Sequence, residues 1–281
     1  MSQTILITGA SSGIGRAAAT TFARKGWNVV ATMPEIATSE ALMDEPNTCV
    51  ERVDVRDEES IAAAIARGKK RFGRIDAILS NAGFGQYGIF EAVPKARIQE
   101  QFDVNVFGAM NVLRAILPEF RANGGGQVLV TSSSGGIYGL PTMTLYITTK
   151  FALEGFFESV AYELRSLNIP VKLIEPGGVD THFHKTAAAR TVGAGALDAY
   201  AAFYDSVDKA VQAIIAKHAL TSAEDVAQVI YLAATDGTDR LRYVVGSDAA
   251  AIIEARRTKS EPEFRQMIES EFGLKSTADT I

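Results

Sequence analysis

Thr8-Gly9-Ala10-Ser11-Ser12-Gly13-Ile14-Gly15 joins an apolar run, Thr4 to Ile7, to a segment of helical period that runs from Gly13 to Lys25. Strand, glycine-rich turn and helix, in that order, make a dinucleotide-binding turn. Gly9 permits the tight turn, Gly13 lets a phosphate approach the backbone, and Gly15 lets helix and strand pack closely. Ser11, Ser12 and Ile14 complete the turn, and the helix start offers free N–H groups to an anion.

The same alternation continues outward from this turn. Within the first helical segment Ile14, Ala18, Thr21/Phe22 and Lys25 fall on neighbouring turns, and Gly26 supplies a stop. Further strand-like runs are Asn28 to Thr32, Cys49 to Val55, Asp76 to Leu79, Gln127 to Thr131 and Val171 to Ile174, with amphipathic stretches between them. Near-continuous apolar strands linked by helical crossovers predict a doubly wound parallel sheet, a three-layer α/β/α Rossmann fold. No linker or charge block divides the 281 residues, so residues 1–281 are expected to form one domain. Two regions depart from the alternation. Residues 177–220 read as a lid-like substrate-binding insertion. Residues 261–274 read as a C-terminal helix with Phe264, Met267, Ile268 and Phe272 on one stripe. Either is a candidate for self-association.

Lys and Arg number 28 against 33 Asp and Glu, and the formal charge of −5 argues against nucleic acid or a basic membrane anchor as partner. No apolar run approaches the roughly 20 residues of a membrane span. The single Cys49 cannot form an internal disulfide, and no leader-like segment precedes the first strand, so a cytoplasmic location is expected. As the start of a strand, Cys49 reads as a small buried side chain.

The spacing Gly-x-x-x-Gly-x-Gly resembles the short-chain dehydrogenase/reductase family in its compact, single-domain branch. Asn81-Ala82-Gly83 closes the fourth strand as that family's Asn-Ala-Gly signature does. Asp54-Val55 ends the third, where the family contacts adenine. Pro176-Gly177-Gly178-Val179-Asp180-Thr181 is similar to its Pro-Gly-x-Val-x-Thr segment, which implies that Pro176, Gly177, Val179 and Thr181 lie beside the nicotinamide. Tyr146-Ile147-Thr148-Thr149-Lys150-Phe151-Ala152-Leu153-Glu154-Gly155 looks like the steroid and retinol dehydrogenases and related bacterial oxidoreductases.

Tyr146 and Lys150 are four apart and share one helix face, while Ser133 sits at the C-terminal edge of the fifth strand, where open α/β sheets bind ligands. A carbonyl that accepts hydride needs a proton, which Tyr146 can give. The neighbouring Lys150 ammonium is expected to bring the phenol's pKa down. Ser133 can donate to the developing oxyanion. Ser132 and Ser134 flank it; thirteen positions separate Ser133 from Tyr146, as in the family that the sequence resembles, and that resemblance selects the middle serine. The resemblance assigns the same roles, adds that Lys150 holds the nicotinamide ribose, and gives Asn105 a water that links Lys150 to solvent. It implies an NAD(P)-dependent oxidoreductase acting on CH–OH groups. A non-catalytic dinucleotide-binding regulator would not need Ser133, Tyr146 and Lys150 together. A dehydratase or epimerase more often carries a Gly-x-x-Gly-x-x-Gly turn.

Dinucleotide choice turns on the end of the second strand, Thr32-Met33-Pro34-Glu35. Family NAD users carry Asp where Met33 stands, and NADP users of the nearest branch often carry Arg where Pro34 stands. Without the carboxylate, Ser11, Ser12 and Thr32, with Arg16 or Arg56, favour NADP(H) over NAD(H), whereas Glu35 pulls the other way. Phe84, Gln86, Tyr87, Ile137, Tyr138, Leu140, Phe183, Tyr200, Phe203 and Tyr204 are candidate substrate neighbours and suggest a small apolar or aromatic alcohol or carbonyl. Asp180, His182 and His184 alternate without an evident fourth ligand, so no metal is expected. His218 reads as a surface residue. The resemblance implies a homodimer or homotetramer, paired through the helices that carry Asn105 and Tyr146.

Overall fold

Ile5 and Ile7 of the first strand are buried on one face and Leu6 on the other, so this strand needs helices on both sides. The computed structural model describes residues 2–36, 42, 45–192, 196–217 and 220–274. In chain order these hold β1 (Thr4–Thr8), α1 (Gly13–Arg24), β2 (Asn28–Met33), β3 (Thr48–Arg52), α2 (Glu58–Phe72) and β4 (Ala77–Ser80). Next come α3 (Lys95–Phe102), a π turn (Asp103–Phe107), α4 (Gly108–Ala122), β5 (Gln127–Thr131), α5 (Thr144–Arg165) and β6 (Val171–Pro176). The chain continues with β7 (Val179–Asp180), α6 (His182–Arg190), α7 (Ala201–Lys217), β8 (Thr221–Ser222), α8 (Ala223–Thr235), β9 (Arg242–Val245), α9 (Ser247–Thr258) and α10 (Glu261–Glu271).

Among the described residues seven strands form one parallel sheet in the order β3-β2-β1-β4-β5-β6-β9. The order reverses between β1 and β4, which opens a crevice beyond their C-terminal ends. On one face α1 and α8 bury Phe22, Val226 and Ile230 against Ile5, Ile7 and Leu129. On the other, α2, α4 and α5 bury Ile61, Ile116 and Phe157 against Leu6, Val30 and Val128. This is the expected three-layer Rossmann architecture.

Three local readings change. β3 stops at Arg52, so Asp54-Val55 lie in the turn beyond it, where the Val53 N–H donates to the Met33 carbonyl at 2.9 Å. Cys49 is only half-buried, and its thiol donates to Glu51 Oε1 at 3.3 Å. The seventh strand, β9, went unread because four residues next to Arg240 and Arg242 carry too short an apolar run. His218 lies outside the described residues.

The region after β6 is built as an insertion closed at its base. Val179 pairs with Thr221 and Asp180 with Ser222 in a two-stranded ribbon, and α6 and α7 lie between. The C-terminal helix is not left free for a partner along its apolar stripe. Phe264, Ile268 and Phe272 are buried with Tyr138, Val207 and Ile253 in a third cluster, against which Met267 packs, over the C-terminal edge of the sheet.

Candidate active site

At the switch point Thr8 and Asn81 lock the strand ends together. Thr8 Oγ1 accepts from the N–H groups of Asn81 at 2.9 Å and Ala82 at 3.1 Å. Asn81 Nδ2 donates to the Thr8 carbonyl at 3.0 Å, and its Oδ1 accepts from Thr131 Oγ1 at 3.0 Å, so one amide joins β1, β4 and β5. The Ala10 N–H donates to the Thr32 carbonyl at 2.9 Å and ties the turn to β2. Gly9 and Gly13 have φ of +68° and +52°, left-handed values that suit glycine.

The start of α1 is made for an anion. Ser12 stands at the N-cap without a side-chain capping bond, and the first turn holds no acidic residue. By contrast α2 satisfies itself: Asp57 accepts from the N–H groups of Glu59 and Ser60, and Glu58 and Glu59 fill its first turn. The α1 donors are therefore available to a phosphate, favoured further by the helix dipole. The residues present fit the phosphates of a dinucleotide.

From this turn a cavity of about 1060 Å³ runs along the C-terminal ends of the strands. Gly9, Ser11, Ser12, Gly13 and Ile14 line one end, beside Thr32, Asp54 and Val55. Asn81, Ala82 and Gly83 line the middle, with Ser133, Tyr146 and Lys150 opposite and Pro176, Gly177, Val179 and Thr181 beyond. Two expected site residues stand behind the wall. Gly15 lies under the turn, and Asn105 is buried in the π turn, where its Oδ1 accepts from the Phe84 N–H at 3.0 Å. Asn105 Nδ2 donates to the Phe84 carbonyl at 2.9 Å and to Thr149 Oγ1 at 3.1 Å. It thus links the loop after β4 to the helix that carries Tyr146 and Lys150.

Tyr146 is 8% exposed, between Tyr87 and Phe183, with ring centroids 6.0 and 5.4 Å away. Burial pushes its phenol up to about 12, and the bond with Ser133 opposes that rise. Lys150 Nζ donates to the Thr131 carbonyl at 2.9 Å and lies 5.6 Å from the Tyr146 ring centroid. Its own burial pushes it down to about 8, and the charge of Glu154 opposes this. The net shift at Tyr146 is thus upward, against the lowering expected from Lys150: burial leads at both groups, and the ammonium is turned to a strand carbonyl.

Among the substrate candidates Phe84, Tyr87, Tyr138, Leu140, Phe183 and Tyr204 line the cavity. Gln86 does not: it is buried and its Nε2 donates to the carbonyls of Tyr87 and Arg190. Ile137 and Phe203 pack into the roof cluster, and the Tyr200 hydroxyl donates to Glu91 Oε2 at 3.0 Å. His182 and His184 line the cavity near Phe183.

At the end expected to hold the adenosine, Met33 is 1% exposed and belongs to the core, so its side chain does not face the cavity. Pro34 and Arg56 do. Arg56 donates through Nε to Asp54 Oδ1 at 2.9 Å and through Nη2 to Oδ2 at 2.6 Å, and holds that carboxyl below its usual range. Arg16, the other cation considered, is exposed and not on the cavity wall.

Sequence reasoning missed Asp248, on the first turn of α9. Its Oδ2 accepts from the Gly178 N–H at 2.8 Å and so braces the loop after β6. Gly177 and Gly246 have no side chains because a Cβ on either would lie 2.3 or 2.5 Å from its carboxylate oxygens. Gly-Ser-Asp before a helix was a legible N-terminal signal. Met267 and Phe272 were seen as a stripe but not as the wall of this cavity.

Comparison with known proteins gives a consistent result. The family described as short chain dehydrogenase matches residues 3–191. An uncharacterized oxidoreductase of Schizosaccharomyces pombe is 33% identical over 243 residues, 86% of this chain and 100% of that protein. Human 17-beta-hydroxysteroid dehydrogenase type 1 is 35% identical over 253 residues, 85% of this chain and 76% of that one. A short-chain dehydrogenase from Streptomyces avermitilis superposes with a TM-score of 0.82 at 29% identity, covering 98% of this chain and 100% of its own.

Proposed function

This chain belongs to the short-chain dehydrogenase family, and from that premise we propose that it interconverts an alcohol and a ketone or aldehyde on a small apolar molecule. The observation that carries this reading is the convergence of Ser133, Tyr146 and Lys150 on one cavity that begins at an anion-ready helix start. A bound nicotinamide dinucleotide supplies or accepts the hydride. Tyr146 Oη gives its proton to the substrate oxygen during reduction and takes it back during oxidation. Its high pKa keeps it protonated, ready as the acid. Ser133 donates a hydrogen bond to the charge that develops on that oxygen. Lys150, when charged, stabilises the tyrosinate left behind. Tyr87, Leu140, Phe183 and Phe272 exclude water around the reacting carbon.

NADP(H) is the preferred dinucleotide in this reading: Arg56 lines the adenosine end of the cavity, within which a 2′-phosphate would find a guanidinium. Self-association as a dimer or tetramer belongs to it too, because Phe107 at the end of the π turn and Phe151 on α5 are 48% and 45% exposed. The deciding experiment is Tyr146→Phe with a panel of apolar ketones and alcohols. The variant keeps the thermal shift with dinucleotide and loses turnover by about 10²–10⁴-fold; turnover like the wild type rejects the reading.

A further inference from the structure

One helical turn after Lys150, Glu154 enters a buried cluster that the reaction above does not use. Glu154 is 5% exposed and Glu175, on β6, is fully buried. Arg242 Nε is the cation between them, 2.9 Å from Glu154 Oε2 and 3.1 Å from Glu175 Oε1, while its Nη2 goes to Glu158. Three carboxylate oxygens, Oε1 of Glu154 and both of Glu175, are buried with no hydrogen-bond partner. Two carboxylates that share one guanidinium in a dry interior do not both ionise.

Gly136 makes the approach to the active site possible. A Cβ there would lie 2.7 Å from Glu154 Cγ and 3.3 Å from both the Lys150 carbonyl oxygen and Ser132 Oγ. The Glu154 side chain therefore lies against the segment that carries Ser132 and Ser133, on the same helix face as Lys150.

We propose that Glu175 holds a proton beside the ion pair of Glu154 and Arg242, and that this cluster positions the charge on Lys150. The proposal rests on Lys150 acting in the reaction proposed above. Burial pushes Glu175 up to about 7, and the Glu154 charge adds to that, whereas Arg242, Arg257 and Arg240 oppose it. Lys150 in turn has Glu154 as the group that favours its ammonium. The groups that face the two carboxyls are thus Lys150 and Glu158 on α5, Arg242 with Arg240 before it at β9, and Arg257 on α9. As Glu175 takes up or loses its proton, the field at Lys150 changes.

The test compares pH profiles of turnover on an apolar ketone for the wild type, Glu154→Gln and Glu154→Asp, and melting temperature against pH for Glu175→Gln. In Glu154→Gln the alkaline limb moves down by about one pH unit, because the field that favours the ammonium is gone. Glu154→Asp restores the wild-type limb. Glu175→Gln melts progressively higher relative to the wild type from about pH 4.5 to about pH 7, because across that window the wild-type unfolded chain has lost a proton that the folded chain still holds. A Glu154→Gln profile that is lower but unshifted overturns the link to Lys150. A constant melting difference for Glu175→Gln overturns the proton on Glu175. If Glu154→Gln does not fold, Glu154→Met takes its place, with the same expected shift and the same overturning result. Wild-type turnover in Lys150→Ala rejects the reaction itself, and the Glu175→Gln melting curve still decides the proton on Glu175.

Discussion

A Cβ on Gly15 would lie 2.2 Å from the Gly9 carbonyl oxygen and 2.6 Å from Asn81 Nδ2. The first turn of α1 therefore rests directly on the backbone of the phosphate turn, and the amide that joins β1, β4 and β5 closes over it. Backbone atoms cannot swing aside as the end of a flexible side chain can. Gly15→Ala is expected to cost about 1–3 kcal/mol and to weaken the thermal shift with dinucleotide. Gly155→Ala on α5 is the contrast, since nothing lies within 4 Å of its Cβ, and about 1 kcal/mol of helix propensity is gained. Thermal melts of both variants, with and without dinucleotide, measure the difference.

Lys150 gives stability an unusual sign. Its folded pKa, about 8, lies below the ordinary 10.5. The unfolded chain thus binds more protons between these values, and stability rises with pH across that window. Below pH 8 the ammonium is charged in both states and folding carries its desolvation cost. Lys150→Met is expected to melt higher than the wild type near neutral pH, with the gain shrinking towards about pH 10. Melting curves across this range check it, and a gain that grows with pH contradicts it.

Asp248 braces the loop that lies next to the reacting end of the cavity. Asp248→Ala frees the Gly178 N–H and removes the carboxylate that fills the space beside Gly177 and Gly246. A hydrogen bond to a charged acceptor contributes about 1.5–3 kcal/mol. The expected result is weaker dinucleotide binding, with Asp248→Asn intermediate, because an amide oxygen still accepts from Gly178. Titration by intrinsic fluorescence measures it.

In the proposed reading Arg56 is the group that meets a 2′-phosphate at the adenosine end. Arg56→Ala is expected to raise the Kd for NADPH about tenfold and to leave that for NADH nearly unchanged. Paired titrations check this, and equal losses for both dinucleotides contradict it. Arg56→Ala also frees the Asp54 carboxyl, whose pKa then rises towards its ordinary value.

The alternation of strands and helices and the phosphate turn were legible because both depend on short-range patterns. Apolar runs and glycine spacing place β1, α1 and the turn between them within a few residues, and the four-residue step from Tyr146 to Lys150 survives any helix packing. The end of β3 was misread because Val53 and Val55 are apolar for a different reason: they are buried after the strand has ended. Asp248 was overlooked because its partner Gly178 lies 70 residues away in the chain.

By itself, then, the sequence determined the doubly wound fold, the anion-ready turn and the set of Ser133, Tyr146 and Lys150, all of which rest on local geometry. The tertiary structure alone decided that Met267 and Phe272 wall the cavity, that Met33 turns into the core and Arg56 towards the adenosine end, and that burial governs the charges of Tyr146 and Lys150. Those outcomes depend on which distant elements take water away from a side chain, and desolvation has no signature in a linear pattern.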